Sequence, residues 1–128
     1  MYTLMNIDEA AVTRQLTLKN NETKTVEMCF DDSSVTSVEN FEFMRIGVAY
    51  DCKIYLLGRV DDCGKDFKVL KGVIIGTRKL VKIQDVVGNV FYVDRNIMKN
   101  MEVKEFIKFK YTRKDVIQVN DIIHPDFK

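Results

Sequence analysis

The sequence predicts an all-β protein: a small, antiparallel, partly open barrel of the OB or SH3-like kind, with one short helix. Three observations carry that expectation. Apolar residues recur at every second position far more often than at every third or fourth, as strands with one buried face require. Clusters of Gly, Asn and Asp break these runs into short pieces, the spacing of turns between strands. Only one segment has helical spacing. The length of 128 residues suits a single domain over residues 1–128, with a core large enough to need no staples.

The first pair of strands is read over residues 12–31. Val12, Leu16 and Leu18 fall on one side, with Thr13, Gln15 and Thr17 opposite; Lys24, Val26, Met28 and Phe30 then alternate with Thr25, Glu27 and Cys29. Asn20-Asn21-Glu22 lies between them, and asparagine tolerates the positive φ of tight hairpins. An irregular stretch follows to Gly47, and its Phe41, Phe43, Met44 and Ile46 predict that it packs down. Tyr50, Cys52, Ile54 and Leu56 alternate with Asp51, Lys53, Tyr55 and Leu57 in the clearest strand of the chain. Asp61-Asp62-Cys63-Gly64-Lys65-Asp66 is read as a turn, because Gly and Asp supply turn geometry and solvation together.

From Phe67 to Asp85 β-branched residues dominate, and Gly72 and Gly76 are read as bulges or bends in a curling sheet. Around Asp85-Val86-Val87-Gly88-Asn89 two hairpin turns fit equally well: a four-residue turn from Asp85 to Gly88, or a two-residue Gly-Asn loop. Asp94-Arg95-Asn96 can cap a short helix through Ile97, Met98 and Met101. Beyond it Val103, Ile107, Phe109 and Tyr111 share a side, with Lys104, Lys108 and Lys110 interleaved. A last short strand is expected around Val116 to Val119, before the only proline, Pro125.

Chemistry is harder to find. Cys29, Cys52 and Cys63 lie 23 and 11 residues apart, without the close pairs that zinc sites take from a single turn. No metal site and no cofactor are expected, and the cysteines read as reduced thiols. The acidic clusters miss the calcium-loop pattern, and Gly72-Val-Ile-Ile-Gly76 is neither a dinucleotide nor a P-loop signature. His124 is the only histidine and stands in a C-terminal segment expected to fray, so no catalytic residues are assigned and no enzyme is expected. The N-terminus has neither a basic region nor a long apolar run, so the expected compartment is the cytoplasm, without membrane contact.

Charge is distributed unevenly although the net is +1. Residues 1–64 carry 6 basic and 11 acidic side chains, whereas residues 65–114 carry 13 basic and 5 acidic. The candidate binding surface comes from that basic stretch: Arg78, Lys79, Lys82, Lys104, Phe106, Lys108, Lys110, Arg113 and Lys114. Two functions follow. Opposed acidic and basic halves suit a non-catalytic protein whose partner is another protein or a second copy of itself. Alternatively, cations interleaved with aromatic rings suit single-stranded nucleic acid, whose phosphates and bases need just those groups. The competing structural reading makes Ile107, Phe109 and Tyr111 a core face and the lysines its solvated side; Phe106 alone falls on the lysine side.

Overall fold

The computed structural model describes residues 1–11, 13–35, 39–98 and 105–128. The all-β class is observed. Among the described residues nine strands are β1 (Tyr2–Glu9), β2 (Arg14–Asn20), β3 (Val26–Asp31), β4 (Ala49–Tyr50), β5 (Cys52–Ile75), β6 (Arg78–Gln84), β7 (Val90–Asp94), β8 (Phe106–Val119) and β9 (Ile122–Ile123). They form one sheet in the order β4-β1-β2-β3-β8-β5-β6-β7, with β9 beside β8. Pairing is antiparallel except at two points, Phe30 with Asp115 and Tyr55 with Tyr92. The sheet is not closed into a barrel. Among the described residues helical structure is limited to 3-10 turns, one of them Arg95–Met98, where the Asp94 carboxylate accepts the Asn96 N–H at 2.8 Å; Met101 of the expected helix lies outside the described residues.

The hairpin read over 12–31 is β2 and β3 from Arg14 onward, Val12 lying outside the described residues, and its facing is set by register. Leu18 opposes Glu27, Leu16 opposes Cys29 and Arg14 opposes Asp31. Directly opposed residues share a face, so the leucines that enter the core carry Glu27, Cys29 and Asp31 inward with them. Val26, Met28 and Phe30 are left outside. Ion pairs compensate the buried carboxylates: Asp31 with Arg14 at 2.6 Å, and Glu27 with Lys114 of β8. In the connecting turn Asn20 accepts the Glu22 and Thr23 N–H groups, and the positive φ falls on Lys24 (66°) rather than on an asparagine.

The segment after β3 is packed down only in part, with Phe41 and Met44 fully buried but Phe43 and Ile46 exposed. The alternation at 50–57 is as expected: Tyr50, Cys52, Ile54 and Leu56 are buried. What looked like a turn at 61–66 is instead a bulge inside the long strand β5. Val60 and Lys65 both oppose Phe109, so residues 61–64 loop out while the strand continues in the same direction. Asp61 accepts the Cys63 N–H and the Arg59 guanidinium, and Gly64 lies so close to Phe109 that a Cβ would fall 2.4 Å from its carbonyl carbon. Turn chemistry was present, but pairing with β8 on both sides of the cluster prevents reversal.

Gly76 is a turn rather than a bend within a strand. Ile75 opposes Arg78, leaving a two-residue loop whose first residue alone has positive φ (59°), the pattern of a II′ hairpin. At 85–89 the four-residue turn forms: the Asp85 carboxylate accepts the N–H groups of Val87, Gly88 and Asn89, leaving Val86 and Val87 exposed at the tip. The last expected strand is the end of β8, which runs unbroken from Phe106.

The main core gathers Leu4, Leu16, Leu18, Ile54, Leu56, Phe67, Ile83, Phe91, Phe109 and Val116. A smaller cluster of Ile75, Leu80, Tyr92, Ile117 and Phe127 is separate from it. The C-terminus does not fray there: Phe127 is buried in that second cluster. His124 is buried as well, 6% exposed, with its ring against Phe41 and Phe127.

Candidate functional site

Cross-strand pairing places a set of cations on one sheet face spanning β6, β5 and β8. Lys68 opposes both Gln84 of β6 and Phe106 of β8; Asp66 opposes Lys108; Arg59 opposes Lys110; Lys71 opposes Lys82. Opposed side chains stand about 5 Å apart at Cβ and successive rows about 7 Å apart. Phe106 sits among these rows with 61% of its surface exposed. Beside it is a recess of about 310 Å³, lined by Asp66, Phe67, Lys68, Gln84, Asp85, Val86 and Phe106.

The electrostatics of this face are unbalanced. Lys108 lies 3.8 Å from Asp66 and Arg59 lies 3.1 Å from Asp61. Lys68, Lys71, Lys82 and Lys110 have no carboxylate within 4 Å among the described residues. Lys71 and Lys82 face each other directly, and like charges directly opposed across strands are destabilising. An anion between them would reverse the sign of that interaction.

Of the residues singled out in the sequence, Lys82, Phe106, Lys108 and Lys110 fall on this face. Arg78 shares the Lys82 side of β6 but is taken up by Phe127, 4.9 Å from its ring centre, and Lys79 is exposed on the other side of β6. Arg113 is held by Asp115 at 2.7 and 3.0 Å, and it covers the Phe30 ring. Lys114 turns inward to Glu27. Burial would lower its amine, but the hydrogen bond and charge of Glu27 outweigh that and hold it above the usual lysine value. Lys104 lies outside the described residues. Arg59, Lys68 and Lys71 were not anticipated. Their charge is plain in the sequence, but their facing depends on the 61–64 bulge and on long-range register with β8.

A second cluster surrounds His124. Its Nδ1 accepts the Asp126 N–H at 3.1 Å, and its Nε2 is 2.5 Å from Asp32. Accepting at Nδ1 places the ring proton on Nε2, directed at Asp32. One ligand atom each from Asp32, His124 and Asp126 lie within 4.8 Å of one another, a grouping that could hold a metal. A metal needs an imidazole lone pair that is not already engaged, and here both nitrogens are occupied. As arranged, the cluster ties the C-terminal turn to the end of β3. The neighbouring Ser33 hydroxyl is committed to Asp31 and to the Phe41 N–H, so it is not poised for attack. Burial, foremost, pushes the Cys52 thiol up to about 12 and raises Cys29 further, and both are inert as nucleophiles at neutral pH.

Compared with protein-family models, curated proteins and solved structures, the chain matches none. No described helix is long and apolar enough to cross a membrane.

Proposed function

We propose that this is a non-catalytic protein that binds single-stranded nucleic acid on the β6–β5–β8 face. The observation that carries the reading is the uncompensated Lys71–Lys82 pair on the same face as exposed Phe106. A phosphate backbone supplies the missing negative charge, and a base supplies a partner for the ring. The fold reading that accompanies it is an opened OB-type barrel. The path β1-β2-β3-β8-β5 has β3 parallel to β8 at Phe30, and β4, separated from β5 by Asp51 alone, returns to β1. On that reading the second half of β5, with β6 and β7, stands in the loop before the last barrel strand, one of the places where OB domains bind oligonucleotides.

The test is binding of a labelled homopyrimidine oligonucleotide, followed by fluorescence anisotropy as salt is raised. Engagement of Lys68, Lys71, Lys82 and Lys110 predicts a log–log salt slope of about −3, or roughly fifty-fold weaker binding from 50 to 200 mM salt. Replacing Lys71 and Lys82 together by Gln should flatten the slope by about 1.4. Failure to bind DNA or RNA oligonucleotides even at about 50 mM salt sinks the reading.

A second reading, contact with another protein or a second copy of this chain, draws on β3. Val26, Met28 and Phe30 present an apolar stripe outward from the meander, and exposed apolar surface of this kind marks protein contacts. Light scattering at low and high salt separates the possibilities. Association through the stripe survives salt, association through the charged halves does not, and a monomer in both conditions removes self-association.

A further inference from the structure

The acidic first half and basic later half meet in a second recess, on the other side of the 85–89 turn from the cationic face. It occupies about 280 Å³ between β3, β5, β7 and β8. Phe67 and Phe91, packed edge to face at 6.2 Å, contribute to its wall, with Val26 and Val87 at the rim. Tyr111 carries two ammonium groups over its ring, Lys65 at 5.4 Å and Lys114 at 5.3 Å from the centroid.

The polar groups here can be accounted for one by one. Glu27 is buried and taken up by Lys114. Asp85 also lines the recess, but its oxygens already accept three backbone N–H groups and the Asn89 side-chain amide. The Asn89 carbonyl oxygen in turn accepts from Asn20, Thr23 and Thr25. Lys65 is different. Among the described residues its amine reaches only the Tyr111 hydroxyl, at 3.2 Å, and no carboxylate lies within 4 Å of it. The recess therefore combines an apolar rim, Val26 and Val87, with one positive charge that no carboxylate meets within 4 Å among the described residues and a hydroxyl beside it.

The geometry points to a binding site for a small organic carboxylate with an apolar body, its carboxylate on Lys65 and the Tyr111 hydroxyl and its body against the exposed Val26 and Val87 at the rim. This site is distinct from the nucleic-acid face and does not depend on it. An aromatic or branched-alkyl acid fits that class. Glu27 is too buried to meet a ligand's ammonium, so a zwitterion is disfavoured relative to a simple acid.

The probe is phenylacetate, titrated into the full chain by calorimetry and by NMR. Phenylethanol, of the same shape without the charge, and inorganic phosphate, an anion without the body, are the controls. Phenylacetate should bind with a Kd near about 1 mM, and both controls about ten-fold more weakly or worse. Lys65→Gln should weaken phenylacetate about ten-fold and leave phenylethanol unchanged. Because Lys65 is exposed, that variant keeps the fold. Tyr111→Phe retains the ring and serves as the second variant, with a smaller loss expected. Equal binding of phenylethanol and phenylacetate overturns the proposal, as does an unchanged affinity in Lys65→Gln. Absence of saturation by phenylacetate at about 10 mM also overturns it. Oligonucleotide binding by Lys65→Gln reports separately on the other face, so either site can fail alone.

Discussion

Replacing Asp31 by Ala tests how the inward-facing carboxylates of β3 are tolerated. Asp31 is 2% exposed; one oxygen accepts two guanidinium N–H groups of Arg14, and the other accepts the Ser33 N–H and hydroxyl. Among the described residues, the substitution leaves the Arg14 guanidinium, itself buried, with the Phe41 carbonyl at 2.9 Å as its remaining acceptor. Removing one partner of a buried ion pair costs about 3–5 kcal/mol, most of it the penalty of the stranded charge. An unfolding entropy of about 2.1 cal/mol/K per residue amounts to roughly 0.27 kcal/mol/K for a chain of this length. The loss then corresponds to a Tm lower by about 11–19 °C, read by circular dichroism. Replacing both partners with apolar residues, Arg14→Met with Asp31→Leu, should cost less than Asp31→Ala alone, because no charge is stranded. A Tm for Asp31→Ala within about 3 °C of the parent would refute this account and imply that Arg14 finds water or another acceptor.

Three further outcomes are expected. Phe106→Ala should weaken oligonucleotide binding by about ten-fold or more, the stacking contribution of one base, without moving Tm, because the ring is mostly exposed; parent affinity would remove Phe106 from the interface. Gly76→Ala combines a positive φ with a Cβ placed 1.8 Å from the Phe127 carbonyl oxygen, so a stability loss of at least about 1 kcal/mol should appear in denaturant titration. At pH 8 a thiol reagent should label Cys63 alone, since Cys63 is exposed and the other two thiols are buried. Burial raises the Cys52 and Cys29 thiols, so both stay protonated at pH 8 until the chain unfolds, and three equivalents should react in guanidinium; fast labelling of a second thiol in the native protein would contradict their burial.

The strand content was legible because period-two alternation is a local property. Tyr50 to Leu57 and Ile107 to Tyr111 behave as their spacing dictates, and Phe106 stands on the solvent side where its position among the lysines put it. Asp94 caps its short turn, and Asp85 organises a hairpin, for equally local reasons. Alternation cannot say which of two faces is buried. In β3 that was decided by its neighbour β2, whose leucines draw Glu27 and Asp31 inward and leave Val26, Met28 and Phe30 outside. The 61–66 cluster has every chemical mark of a turn, yet pairing with β8 before and after it holds β5 to its course. His124 lies near the chain end, and only the fold could bring Asp32, 92 residues away, to its ring. The same holds for the candidate interface. The excess of positive charge in residues 65–114 is a property of composition, but bringing Arg59, Lys68, Lys71 and Lys82 together with Phe106, Lys108 and Lys110 requires long-range register. Register also sends Lys114 inward to Glu27, whereas Arg113 is held by Asp115 two residues along its own strand. Local spacing determines what each residue could do, and non-local pairing determines which of them share a surface.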